Sequence, residues 1–115
     1  MEQKTCKVIK AHINTFPDPL KIKIGQSLTI IPKESEYPGW IWCVDRDGKD
    51  GWVPASYVKQ YGDYGIALFD YDATELSVQI GEELTILKEE SGWLWCRRQT
   101  GKLGWVPKEN LQIAE

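Results

Sequence analysis

Apolar residues along the chain fall in short runs separated by polar, glycine-bearing stretches, and no segment sustains the 3.6-residue period of an amphipathic helix. LTII at 28–31 and LTIL at 84–87 are rich in β-formers and end in polar residues. IWCVD at 41–45 and LWCRR at 94–98 alternate between two faces, as half-buried strands do. DRDGK at 45–49 and RQTGK at 98–102 each place a glycine between two such runs, the signature of a tight hairpin. GWVP follows in both places, then ASYV or KENL, which predicts one 3₁₀ turn leading into a last short strand.

These elements occur twice because the sequence itself does. GWIWCVDRDGKDGWVP at 39–54 returns as GWLWCRRQTGKLGWVP at 92–107. Upstream, Gly25, Leu28, Thr29 and Ile30 return as Gly81, Leu84, Thr85 and Ile86, so the first copy carries extra residues around Pro32–Pro38. A repeat of this size with five short strands predicts an all-β chain of two small five-stranded barrels in tandem, residues 1–60 and 61–115. The connection at Lys59–Asp63 is too short for a free linker.

ALFDY at 67–71, ELSV at 75–78, GEELTIL at 81–87, the Trp93 strand and GWVP at 104–107 together resemble a Src-homology 3 (SH3) domain, in order and spacing. Residues 7–60 resemble a divergent, variant copy of the same family, and the paired arrangement is similar to variant SH3 proteins of prokaryotes. The resemblance implies a shallow aromatic groove for a proline-rich peptide, which costs little to order because it is already in polyproline II geometry. It also implies an acidic loop that holds a flanking Arg or Lys. In the second copy it assigns the groove to Phe69, Tyr71, Trp93, Trp105 and Pro107, with Glu75 as the acid. Asn110 stands where the family has a Tyr. In the first copy it assigns Trp40, Trp52, Pro54 and Tyr57, but the strand aligned with ALFDY reads AHINT at 11–15, and Phe16 is the nearest substitute aromatic. Each copy is therefore expected to keep half a groove. Trp42 and Trp95 are expected on the face opposite Trp40 and Trp93.

Composition narrows the function class. Six Trp in 115 residues offer large contact area at low entropic cost. Residues 1–60 carry nine Lys/Arg and seven Asp/Glu, while residues 61–115 carry five and ten, so neither half has the basic stripe of a nucleic-acid binder. Asp72, Glu75, Glu89 and Glu90 are expected to cluster around Trp93. Cys43 and Cys96 are expected in cores, and Cys6 in a frayed terminus; their spacing matches no zinc motif. No nucleophile, acid/base pair or metal constellation can be assigned, so the expectation is a non-catalytic binding protein without cofactor or metal. It would act as a peptide- or protein-binding adaptor, with a composite surface of both copies as one version. The alternative is a structural or oligomerising protein whose aromatic surface is consumed in its own contacts. The absence of a signal-like or membrane-length apolar run, together with three cysteines, places it in the cytoplasm at this stage.

Overall fold

The computed structural model describes residues 3–16, 18–35 and 37–114. It is all-β apart from two 3₁₀ turns. In the first copy, β1 (Thr5–Val8), β2 (Lys21–Ile22), β3 (Ser27–Ile31), β4 (Trp40–Val44) and β5 (Asp50–Pro54) lead to a 3₁₀ turn at Ala55–Tyr57 and to β6 (Val58–Tyr61). The second copy runs β7 (Tyr64–Ala67), β8 (Tyr71–Asp72), β9 (Glu83–Glu90), β10 (Trp93–Arg98) and β11 (Leu103–Pro107), then a 3₁₀ turn at Lys108–Asn110 and β12 (Leu111–Ile113). The alternation read from the sequence is visible in β10, where Leu94 and Cys96 are buried between half-buried Trp93, Trp95 and Arg97.

The first strand of each copy does not pair within its own copy. One five-stranded sheet runs β11-β10-β9-β1-β12 and the other β5-β4-β3-β7-β6, so the first strand of each copy is inserted into the sheet of the other. β1 lies between β9 and β12, with Cys6 opposite Leu84 on one side and Ile113 on the other. β7 lies between β3 and β6. The chain accordingly forms two compact units that cut across the repeat: Met1–Pro17 with Thr74–Glu115, and Asp18–Ala73. Below, the first is the split unit and the second the central unit. Chain crossings fall at 17/18 and 73/74, within the segment after each copy's first strand. The segment Tyr71–Glu75 thus contains the passage from one unit to the next.

Two local features dictate the exchange. Tyr61 pairs with Tyr64 across only Gly62 and Asp63, and Gly62 has a φ of 74°. That is a two-residue hairpin with glycine at its first central position, the II′ pattern whose twist matches antiparallel strands. A chain turning back this sharply lays β7 beside β6 and fills the place that β1 would otherwise take. Side-chain volume enforces the same choice. Gly65 in β7 occupies the place that Cys6 holds in β1, since Lys59 faces Ile66 as Gln112 faces Lys7. A Cβ on Gly65 would collide with Cγ1 of Val58 and sit 3.2 Å from Cδ1 of Ile30. Val58 is β-branched and cannot swing away at low cost, so β1 does not fit the central unit.

Each unit has its own core. Cys6, Val8, Leu76, Val78, Leu84, Leu94, Cys96, Val106 and Leu111 form that of the split unit. Leu20, Ile22, Leu28, Cys43, Val53, Val58, Ala67 and Tyr71 are buried in the central unit. Cys43 and Cys96 are core residues, as expected. Cys6 corrects the sequence reading: it belongs to a central strand, is 2% exposed, and shares a hydrogen bond with Cys96 that lowers its own pKa and raises that of Cys96. All three thiols are free.

Candidate functional site

The exchange decides which aromatic residues meet. In the central unit the Leu68 N–H donates to the Tyr57 carbonyl at 2.7 Å, and in the split unit the Ile9 N–H donates to the Asn110 carbonyl at 2.8 Å. Tyr71 pairs with Ile22, and His12 bridges to Val78. Val8 therefore matches Ala67 and His12 matches Tyr71, both 59 positions apart. This corrects the alignment of AHINT with ALFDY. The matching segment is VIKAHI, with Lys10 in the place of Phe69 and His12 in the place of Tyr71. Phe16, half-buried, lies beyond it, its N–H held by the Asn14 side chain at 2.8 Å.

The central unit gathers Phe69 and Tyr71 from the second copy with Tyr57, Pro54, Trp52 and Trp40 from the first. The Tyr57 ring meets Phe69 at 5.2 Å and Tyr71 at 5.6 Å, both edge-on. Contacts of this kind stabilise by about 0.5–1.5 kcal/mol each beyond their buried area. Trp40 faces Pro54 across β4 and β5, near enough for their side chains to touch. Tyr71 and Pro54 are buried, Tyr57 and Trp40 are half-buried, and Phe69 is 54% exposed. The half-grooves expected of separate barrels are thus two halves of one aromatic row, on one unit.

Trp40 and Trp42 lie on the same face, which corrects the expectation of opposite faces. Residues two apart along a strand always share a side, and the buried Cys43 between Trp42 and Val44 shows which side is the core. Trp42 continues the row through its cross-strand partner Trp52, ring to ring at 5.1 Å. The Lys33 ammonium sits 3.7 Å over the Trp42 ring and 5.7 Å from that of Trp52.

The equivalent face of the split unit is built differently. Glu75, Trp93, Trp105, Pro107 and Asn110 all fall there. His12 Nε2 is 2.7 Å from Glu75 Oε1, and its ring stands edge-on to Trp93 at 5.5 Å. The carboxylate assigned to a ligand's cation thus already has an internal partner. Asn110 is 4% exposed and spends its carboxamide on the carbonyls of Lys10 and Ala11, at 3.1 Å each. Trp105 is 2% exposed, with Leu76 N–H bonded to its carbonyl and its own N–H bonded to Thr74. It packs on Trp95 at 5.2 Å. Of the acids expected around Trp93, Glu90 faces it across β9 and β10, and Glu75 reaches it through His12. Asp72 belongs to the central unit, and Glu89 pairs with Lys108 at 3.1 Å. Charge follows the units rather than the copies: the central unit has six Lys/Arg and nine Asp/Glu, the split unit eight of each.

His12, Lys10 and Lys33 are the site residues that the sequence reading missed. The first two were findable by matching the alternation of KVIKAHI to IALFDYD. The described residues hold no cluster suited to a metal ion and no helix long and apolar enough to cross a membrane.

The chain is similar to the SH3 domain-containing protein Dlish of Drosophila melanogaster, 32% identical over 53 residues, covering 46% of this chain and 14% of that protein. It is also similar to the actin cytoskeleton-regulatory complex protein SLA1 of Mycosarcoma maydis, 28% identical over 138 aligned positions, covering 96% of this chain and 11% of that one. The chain therefore spans only a small part of either relative. No solved structure gives a significant match. The family model for the variant SH3 domain matches residues 5–61 and again 64–114. SH3 domains are interaction modules that bind protein or peptide ligands. The chain, with two such matches over nearly its whole length, belongs to the variant SH3 domain family.

Proposed function

We propose that the chain is a non-catalytic adaptor that binds one extended, proline-rich segment of a partner protein on the aromatic row of the central unit. The observation that carries this reading is the meeting of Tyr57 with Phe69 and Tyr71 at 5.2 and 5.6 Å, beside Pro54 and Trp40. Half-exposed rings spaced this way leave shallow clefts between them. A polyproline II segment fits such clefts because its own rings project at a fixed repeat and its backbone has little freedom left to lose. The split unit has Lys10, His12 and Asn110 in the three places where the central unit has Phe69, Tyr71 and Tyr57. With its Glu75 engaged by His12 as well, it supplies framework rather than a second groove.

Titration with a proline-rich peptide, followed by amide and indole NMR shifts, tests the reading. Shifts are expected at Trp40, Tyr57 and Phe69, with one peptide per chain, and Tyr57→Ala should weaken binding by about tenfold or more, the range of an interface hot spot. Trp93→Ala should leave affinity unchanged. Shifts centred on Trp93, or none at all, would overturn it.

A further inference from the structure

We infer that Lys33 makes this groove select proline-rich segments with an acidic flank and reject those with a basic one; the inference rests on the groove reading above. The Lys33 ammonium is seated 3.7 Å over Trp42, which shares its strand face with Trp40, so a positive charge already occupies the extension of the row. A ligand cation arriving at the same ring would meet a like charge and find the ring's negative face taken. Among the described residues no carboxylate forms an ion pair with Lys33. A seated ammonium without a counterion is a ready partner for a ligand carboxylate.

Several acidic side chains of the central unit are already engaged, and exposed Asp50 stands opposite Val44 rather than Trp42 on that strand face. Asp70 accepts the Ile24 N–H at 2.8 Å, and Asp45 accepts the N–H groups of Asp47 and Lys49 at 2.9 Å each. Asp18 pairs with Lys49 at 2.9 Å. Pro19 stands at the position that Glu75 fills in the split unit, so no carboxylate is offered there. Glu34, next to Lys33 and exposed, is the remaining acid of that loop among the described residues, and it is solvated. The excess of acidic residues in the unit is diffuse surface charge, screened beyond roughly 8 Å at physiological salt, whereas Lys33 stands on the ring itself.

Three peptides sharing one proline-rich core and differing only in a flanking Glu, Ala or Arg should be titrated into the protein and into Lys33→Ala. The wild type is expected to bind the Glu peptide best and the Arg peptide worst, with a spread of about five- to tenfold that shrinks as salt rises. Lys33→Ala should close the spread. An Arg peptide that binds tightest to the wild type, or an unchanged order in Lys33→Ala, overturns the inference while leaving the groove reading intact. Failure of all three peptides to bind overturns both. Because Lys33 is exposed and outside the core, its substitution does not threaten folding, and an unchanged spectrum of the free variant verifies that.

Discussion

Asn110 shows how one side chain can be misread when its strand partner is unknown. As a departure from a Tyr-bearing pattern it looks like a lost ligand contact. In the fold its side chain, 4% exposed, bonds the carbonyls of Lys10 and Ala11 and ties the segment after β1 to the second 3₁₀ turn. Asn110→Ala should therefore destabilise the protein by about 1–3 kcal/mol, through two lost hydrogen bonds, with peptide affinity unaffected. Urea unfolding paired with a peptide titration measures both. Cys43 offers a second prediction, in pH. Burial pushes its thiol up to about 11 from an ordinary 9.0. The unfolded chain ionises this group first, so its contribution to stability is complete below about pH 9 and declines as pH rises toward 11. Stability measured at pH 8 and pH 11 in wild type and Cys43→Ala should show a part of the alkaline loss that the variant lacks. Alkylation of the native protein at pH 8 should spare Cys43 until denaturant is added.

Strands were the most legible level of the molecule, and strand partners the least. The alternation around Leu94 and Cys96, the paired hairpins and the turns after Pro54 and Pro107 all follow from local sequence. The partner of β1 does not, because β3 and β9 carry nearly the same residues and either could accept a first strand. Two clues were present in the chain. Gly62-Asp63 between Tyr61 and Tyr64 is a hairpin signal as well as a short connection. The inward pair of β1 is Cys6 and Val8, whereas that of β7 is Gly65 and Ala67, a difference in volume that assigns each strand to one sheet. Gly65→Ala should destabilise the chain by about 1–3 kcal/mol through overpacking against Val58, seen as a lower urea midpoint with an unchanged slope.

At the scale of the whole molecule, neither unit coincides with a copy of the repeat: the central unit runs from Asp18 to Ala73, across the boundary between copies, and the split unit joins both ends of the chain. Residues 1–60 contain four strands of the central sheet and lack β7; residues 61–115 contain four strands of the split sheet and lack β1. Expressed alone, each half should fail to reach its native sheet. Mixed in equal amounts the two should recover the far-ultraviolet and tryptophan spectra of the intact protein. Independent folding of either half as a monomer, with its own first strand closing its own sheet, would contradict the exchange.

The hairpin at Gly62-Asp63 also decides where the differences between the two copies fall. Had each copy kept its own first strand, Lys10 and His12 would degrade one barrel and Asn110 the other, leaving two damaged sites. With the strands traded, all three replacements accumulate in the same barrel, and the other retains a full set of rings contributed by two ancestrally separate stretches. The unit on which these substitutions are weighed is therefore the barrel rather than the repeat.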